Sequence, residues 1–348
     1  MSIRSPAFSS VSGRCSILRV LVFLLILLFV LLVASRLESK TWTIKADGTG
    51  DAPTIQAGVD SAAVGDTVLV GPGVYSDATE VLVDGELKLV VVHLYKNVKL
   101  FAEGNGGTTT IDGSKASLGI LVENADATTE IEGFSINTTF EAYGCVDAVR
   151  SPGSTFGWSE RQPDFDVGIW CESSSLVIRN NHLSDNGTAI LLRSSPATVT
   201  GNEIHKSFFG VVVEQLSDAT IENNKVYDCA ALVHVAGSSP LVCDNELFSQ
   251  DADVCDAIVL SNSSADISSN RIQAAYVNGI NMGSSDPKIE GNWLLDNWRG
   301  VMVNGGSPII RQNLFVDNGA AIEFDGSVGS EFTNNTIFGF VTGIFCQD

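Results

Sequence analysis

Basic side chains are scarce in this 348-residue chain: 20 Lys and Arg stand against 41 Asp and Glu, a formal net charge of -21. So acidic a surface repels nucleic acid and anionic lipid, and the first is excluded as a partner. Charged residues nevertheless make up only 18% and hydrophobic ones 44%, which separates the chain from acidic disordered segments. No cysteine spacing resembles a zinc site, so no metal centre is expected. Phosphate-binding glycine loops and a Ser-His-Asp order are also missing. Among the few histidines, His93, His182 and His205 lie apart with no nucleophile partner, and His234 falls at an inward strand position.

Only one long apolar run is present, Val20 to Ala34, preceded by Arg4, Arg14 and Arg19. It falls short of the roughly 18 residues a spanning helix needs. With Val33-Ala34-Ser35 offering small residues for cleavage, residues 1–35 read as a signal peptide, an uncleaved membrane anchor being the alternative. The protein is therefore expected to be secreted or at the cell surface, touching membrane only through this segment.

What the chain has in abundance is self-similarity. Ile178-x-x-Asn181-x-Leu183 recurs as Val199-x-x-Asn202-x-Ile204, Ile221-x-x-Asn224-x-Val226 and Val242-x-x-Asn245-x-Leu247. It continues through Asn270, Asn292, Asn313 and Asn335, at spacings of 21, 22, 21, 25, 22, 21 and 22. A second row opens on Gly or Ala: Gly168-Ile169, Ala189-Ile190, Gly210-Val211, Ala231-Leu232, Ala257-Ile258, Gly279-Ile280, Gly300-Val301, Ala321-Ile322 and Gly343-Ile344. Units this short and rich in β-branched residues predict one turn of a coil of short strands, stacked in parallel about 4.8 Å apart. The asparagines then form an internal amide ladder at a bend. Ser195-Pro196, Ser239-Pro240, Asp286-Pro287 and Ser307-Pro308 mark a second recurring turn. Leucine-rich repeats, similar in length, need a Leu-x-x-Leu-x-Leu spacing that is absent.

On these residues the chain, from about 41 to 348, resembles the right-handed parallel β-helix proteins, the architecture of pectate lyases, polygalacturonases, pectin methylesterases and alginate epimerases. The resemblance implies an all-β, single-stranded right-handed parallel β-helix of 21–22-residue coils with a short capping helix. It implies little about activity, because solenoids host many functions. The motifs marking polygalacturonases, pectin methylesterases and alginate epimerases align nowhere. The acidic pI also weighs against a polyanion such as pectin or alginate, which would need a basic groove or bridging calcium.

Residues 36–77 read as an N-terminal cap: Thr41–Ile44 a strand, Pro53 to Ala63 a helix with Ile55, Val59 and Ala62 on one face, and Thr67 to Val70 a strand. Residues 78–348 read as the β-helix, with Phe134 standing where the ladder asparagine would begin. At Asp348 the chain stops inside a strand of a new coil, so further sequence or a capping partner is expected there.

Regularity breaks between 137 and 167, about 26 residues longer than the same turn elsewhere, and again at Gln250–Asp253. The long insertion mixes Phe140, Tyr143, Phe156, Trp158 and Phe165 with acids, a composition that suits sugar binding. Beside it the second strand row is expected to turn Trp170, Leu191, Val212, Val233 and Val259 outward, a strip that either the loop covers or a glycan occupies. Trp158, Trp170, Asp164 and Asp166 are thus the candidate substrate-binding residues. Arg161, Asp164 and Asp166 are the candidate catalytic set of a lyase, with calcium as its cofactor, or of a hydrolase; otherwise no cofactor is expected. Cys229 and Cys255, each two residues before an alanine of the second row, are candidates for a disulfide between adjacent coils. The preferred reading is an exported carbohydrate-binding β-helix without an identifiable catalytic set. A polysaccharide-cleaving enzyme and a structural or adhesive rod are the alternatives.

Overall fold

The computed structural model describes residues 39–104, 107–138, 165–250, 256–326 and 329–347; the N-terminal apolar run lies outside them. Thr41–Asp348 form one compact unit. Each coil contributes one strand to each of three sheets. Sheet A has twelve described strands, from Thr41–Ile44 to Glu331–Thr333; sheet B has eleven, from Gly73–Tyr75 to Thr336–Phe338; sheet C has twelve, from Thr79–Val83 to Thr342–Gln347. Neighbouring coils pair in parallel without slippage: Ile178 opposite Val199 in A, Leu183 opposite Ile204 in B, Ile190 opposite Val211 in C. Inward residues thereby stack in columns of Ile, Val and Leu, nearly all fully buried. Each such side chain contributes about 1.5–3 kcal/mol.

The strands are three to six residues long through the regular coils because every turn bends sharply. The residue before each ladder asparagine is left-handed: Asn180 (φ 54), Asn223 (φ 54), Asp244 (φ 55), Ser269 (φ 58), Gln312 (φ 57) and Asn334 (φ 54), with Gly201 and Gly291 in the other two coils. Asn, Asp and Gly tolerate that region best, which explains the variable residue before a fixed asparagine. Behind the bend, Asn202 donates from N and Nδ2 to Asn224 Oδ1, both at 3.0 Å, and Nδ2 also reaches the Ile178 carbonyl at 2.9 Å. The same bonds link Asn181 to Asn202, Asn224 to Asn245, Asn245 to Asn270, Asn270 to Asn292, Asn292 to Asn313 and Asn313 to Asn335. At the near end the buried Phe134 gives its backbone N–H to Asn181 Oδ1 at 3.0 Å.

A serine column does similar work at the turn from sheet C back to A. The backbone N of Ser174 donates to Ser195 Oγ (3.0 Å), Ser195 to Ser217 (2.8 Å), Ser217 to Ser238 (3.1 Å), and Ser263 to Ser285 (3.1 Å). These serines recur at the asparagine period, a signal the Ser-Pro pairs obscured.

Two expectations change at the cap and in the second row. The helix, α1, runs only Ile55–Ser61: Thr54 is its N-cap, its Oγ1 accepting from Ala57 N at 3.1 Å, so Pro53 precedes the helix. In sheet C, Phe209 pairs with Ala231 and Val211 with Val233, placing Leu232, not Ala231, opposite Gly210. Two small residues in succession, Ala230 and Ala231, disguised the register. Val233 therefore points inward, fully buried, and His234 takes its place in the outward row. Ala231 stands opposite Asp256, one residue from the Ala257 with which the spacing aligns it. Cys229 is a buried free thiol whose Sγ lies 3.4 Å from the Tyr227 carbonyl; Cys255 lies outside the described residues.

Candidate functional site

The turn joining sheet B to sheet C is the one the sequence interrupts: strand Ser135–Asn137 leads to Val167–Glu172, and Glu246–Phe248 to Asp256–Ser261, both across insertions. In the later coils the same turn is short and described. Left-handed Ala274 (φ 60), Asp296 (φ 55) and Asp317 (φ 55) start it, and Asn297 and Asn318 stack behind it, Asn297 N donating to Asn318 Oδ1 at 3.1 Å. The bend throws the next side chains outward. Tyr276 is 62% and Trp298 64% exposed, and both line an open groove of about 590 Å³ with Ala275, Val277, Asp296 and Arg299. Trp298 is held by its backbone N–H to the Ala275 carbonyl (3.2 Å), and its own carbonyl accepts from Ala320 N (2.9 Å). Gly319 closes the groove, where a Cβ would stand 2.7 Å from the Trp298 carbonyl oxygen, so the site keeps glycine. Asp296 Oδ2 accepts from Gln273 Nε2 at 3.4 Å and Arg299 pairs with Glu323, leaving polar groups around an apolar ring surface. Trp293, 53% exposed, stands one turn earlier on the outer face of sheet B.

The strip on sheet C is closed at its near end, whereas at its far end Val259 lines an open pocket of about 350 Å³ with His234, Ser261, Asn281 and Asn304. Trp170, Leu191 and Val212 are fully buried and cluster with Val83, Phe208 and Phe209. Val83 belongs to the one antiparallel pair among the described residues, Thr79–Val83 with Glu86–Leu94, whose Asp84-Gly85 turn places Asp84 Oδ2 3.1 Å from Arg193. Trp170 consequently offers no face to a sugar: Arg193 lies 4.6 Å and Lys88 5.5 Å from its ring centre, and its Nε1 points at Glu172 Oε2 at 3.4 Å. Burial raises the Glu172 carboxyl above its ordinary range, the indole hydrogen bond opposing. His234, stacked on Phe209 with ring centres 5.5 Å apart, is pushed down to about 4 by burial.

On the outer face of sheet B, coil stacking joins residues that sequence order separates. His182 pairs with Glu203 in the strand register, and His205 with Tyr227. The 23-residue gap between the histidines is one coil plus one step of two along the same face, an arithmetic that reveals the pair. Their Nε2 atoms lie 3.0 Å apart; Glu203 Oε2 is 3.6 Å from His182 Nδ1, and Glu203 Oε1 accepts from Lys225 Nζ (2.9 Å) and Tyr227 Oη (3.1 Å). His205, Tyr227 and Phe248 stack with ring centres 4.9 and 5.0 Å apart. The Lys225 hydrogen bond holds Glu203 low; burial, then the Glu203 hydrogen bond, drives Tyr227 up to about 12; burial and then His182 hold His205 below the usual histidine range.

A family model described as "Right handed beta helix region" matches residues 105–272 and 167–337, together well over half of the chain. The chain belongs to the right-handed β-helix family. No curated protein matches it. Among solved structures, this β-helix is similar to DFA-IIIase from Arthrobacter chlorophenolicus A6 in complex with DFA-III (TM-score 0.62, 12% identity, 85% of this chain and 83% of that one). Alginate lyase from Paenibacillus sp. str. FPU-7 matches with TM-score 0.51 at 9% identity over 89% and 98% of the two chains. The complex of XylC with xylose matches with TM-score 0.50 at 12% identity over 85% and 70%. At such identities the likeness is one of fold.

Of the sequence-derived site residues of this β-helix, Trp158, Arg161 and Asp164 lie outside the described residues. Asp166 is described: left-handed (φ 48), half-buried, its carboxyl raised by burial, its carbonyl accepting from Thr138 Oγ1 at 2.7 Å and Gly187 N at 2.8 Å. Those bonds make it a bend residue closing the coil. Among the described residues no group of three or more His, Cys, Asp or Glu is placed to hold a metal ion, and no helix is long and apolar enough to cross a membrane. Tyr276 and Trp298 stand 22 residues apart, each six after its ladder asparagine, so the period places them on successive coils; the repeat hides them because the same position holds Gly187, Ala230 and Gly319 in other coils.

Proposed function

We propose that this protein is an exported β-helix that binds a saccharide along the B–C turn edge, with Tyr276 and Trp298 as the platform. The exposed ring pair on successive coils, lining one open groove, carries the reading. Aromatic rings present flat apolar faces to the C–H side of a pyranose, while Asp296 and Arg299 at the rim meet hydroxyl groups. The groove lies on the turn at which the sequence also carries both insertions, 137–167 and Gln250–Asp253. Support comes also from fold relatives named for xylose and alginate. A net charge of -21 favours a neutral glycan over an acidic one. Export follows from the Arg4-to-Ala34 segment.

The test is isothermal titration of the full chain with neutral and acidic oligosaccharides, beside Trp298→Ala. Binding of a neutral oligosaccharide that weakens at least about tenfold in the variant, roughly 1.4 kcal/mol, is the expected outcome. Equal affinity in the variant, or binding of acidic chains alone, would contradict it.

A further inference from the structure

We infer that His182 and His205 form a two-nitrogen clamp for a borderline transition-metal cation such as Zn²⁺ or Cu²⁺ on the outer face of sheet B. Two neutral imidazoles meet Nε2 to Nε2 at 3.0 Å in only two ways: one donates its proton to the other, or both direct lone pairs at a shared cation. Three observations favour the second use. The Glu203 carboxylate stands 3.6 Å from Nδ1 of His182, longer than a hydrogen bond but on the side that favours a proton at Nδ1 and leaves Nε2 as the ligand atom. The His205 ring is clamped flat against Tyr227 and in contact with His182 at 4.8 Å, so both ligands are ordered before any ion arrives. His182 and Glu203 are 39% and 40% exposed, so an ion entering from solvent can keep waters on its remaining positions.

Ligand type selects the ion. Imidazole nitrogens suit zinc, copper and nickel and not calcium, which asks for oxygen. The charges facing the pair are mixed: Glu203 and Asp185 attract a cation, Lys225 and Lys206 oppose it. In the free pair one Nε2 carries the shared proton. Binding moves the proton of His205 to its Nδ1, which is buried without a hydrogen-bond partner, so affinity is moderate and falls on acidification as protons compete. This site stands apart from the saccharide groove and does not depend on it.

The experiment titrates Cu²⁺ and Zn²⁺ into the full chain, reading copper by electron paramagnetic resonance and zinc by calorimetry. One tightest equivalent with two equatorial nitrogens is expected, weakened at least about tenfold in His182→Gln and in His205→Gln. His93→Gln, on a different sheet, is expected to match the wild type, and unfolding midpoints show that the variants are folded. Wild-type affinity in both His182→Gln and His205→Gln, or a copper spectrum with fewer than two nitrogens, would overturn the assignment.

Discussion

The turn from sheet A to sheet B and the turn from sheet B to sheet C occupy the same coils and share one backbone device, a left-handed residue followed by an inward one, yet they differ in nearly everything else. At A–B the inward residue is asparagine in eight coils from Asn181 to Asn335, each amide bonded to the next. At B–C the column is mixed, with Asn186, Ser207, Cys229, Ala275, Asn297 and Asn318, and the outer side carries insertions and exposed rings. A column whose members bond one another leaves no member free to vary. Where the column is loose, the outer chain can lengthen and present side chains to a ligand. The tight turn holds the stack, and the loose one faces its surroundings.

The comparison breaks first if the asparagines are dispensable. Asn224→Ala removes the acceptor for Asn202 N and Nδ2 and the donor to Asn245, Val199 and Glu222. With several buried groups left unpaired, a loss of about 3–5 kcal/mol in denaturant-unfolding free energy is expected. Ser217→Ala, which strips a single hydroxyl from the C–A column, should cost about 1–2 kcal/mol in the same measurement. If the two losses were equal, the amide column would have no special standing.

A pH series sharpens the picture of sheet C. His234 is held down to about 4 from an ordinary value of 6.5, so the unfolded chain binds its proton first as pH falls. Stability from this group is thus complete above about 6.5 and is lost progressively down to about 4, by up to roughly 3 kcal/mol. His234→Phe should remove that increment, read as the difference between wild-type and variant stability curves. At the small end, Trp298→Ala should change stability by less than about 0.5 kcal/mol, because its ring is mostly outside the fold.

The same contrast explains what could be read in advance. Asparagine at every twenty-first or twenty-second residue is legible because the ladder demands the identical side chain in each coil, and the strands follow from it. Sheet C is harder: its row needs only a small residue, Ala230 and Ala231 both qualify, and one step of ambiguity turns Val233 to the wrong face and aligns Ala231 with Ala257 instead of Asp256. The cover over Trp170 comes from a hairpin some eighty residues earlier, a long-range contact without periodic trace. His182 and His205 are within reach of coil arithmetic, and so are Tyr276 and Trp298, 22 residues apart, although no side-chain type recurs at their position to mark it.

The most direct test of the central claim is a glycan array probed in parallel with wild-type protein and Trp298→Ala. The B–C edge as saccharide site predicts a defined set of neutral glycans bound by the wild type and lost in the variant. An unchanged set at unchanged intensity would place any saccharide elsewhere and contradict the assignment of that edge.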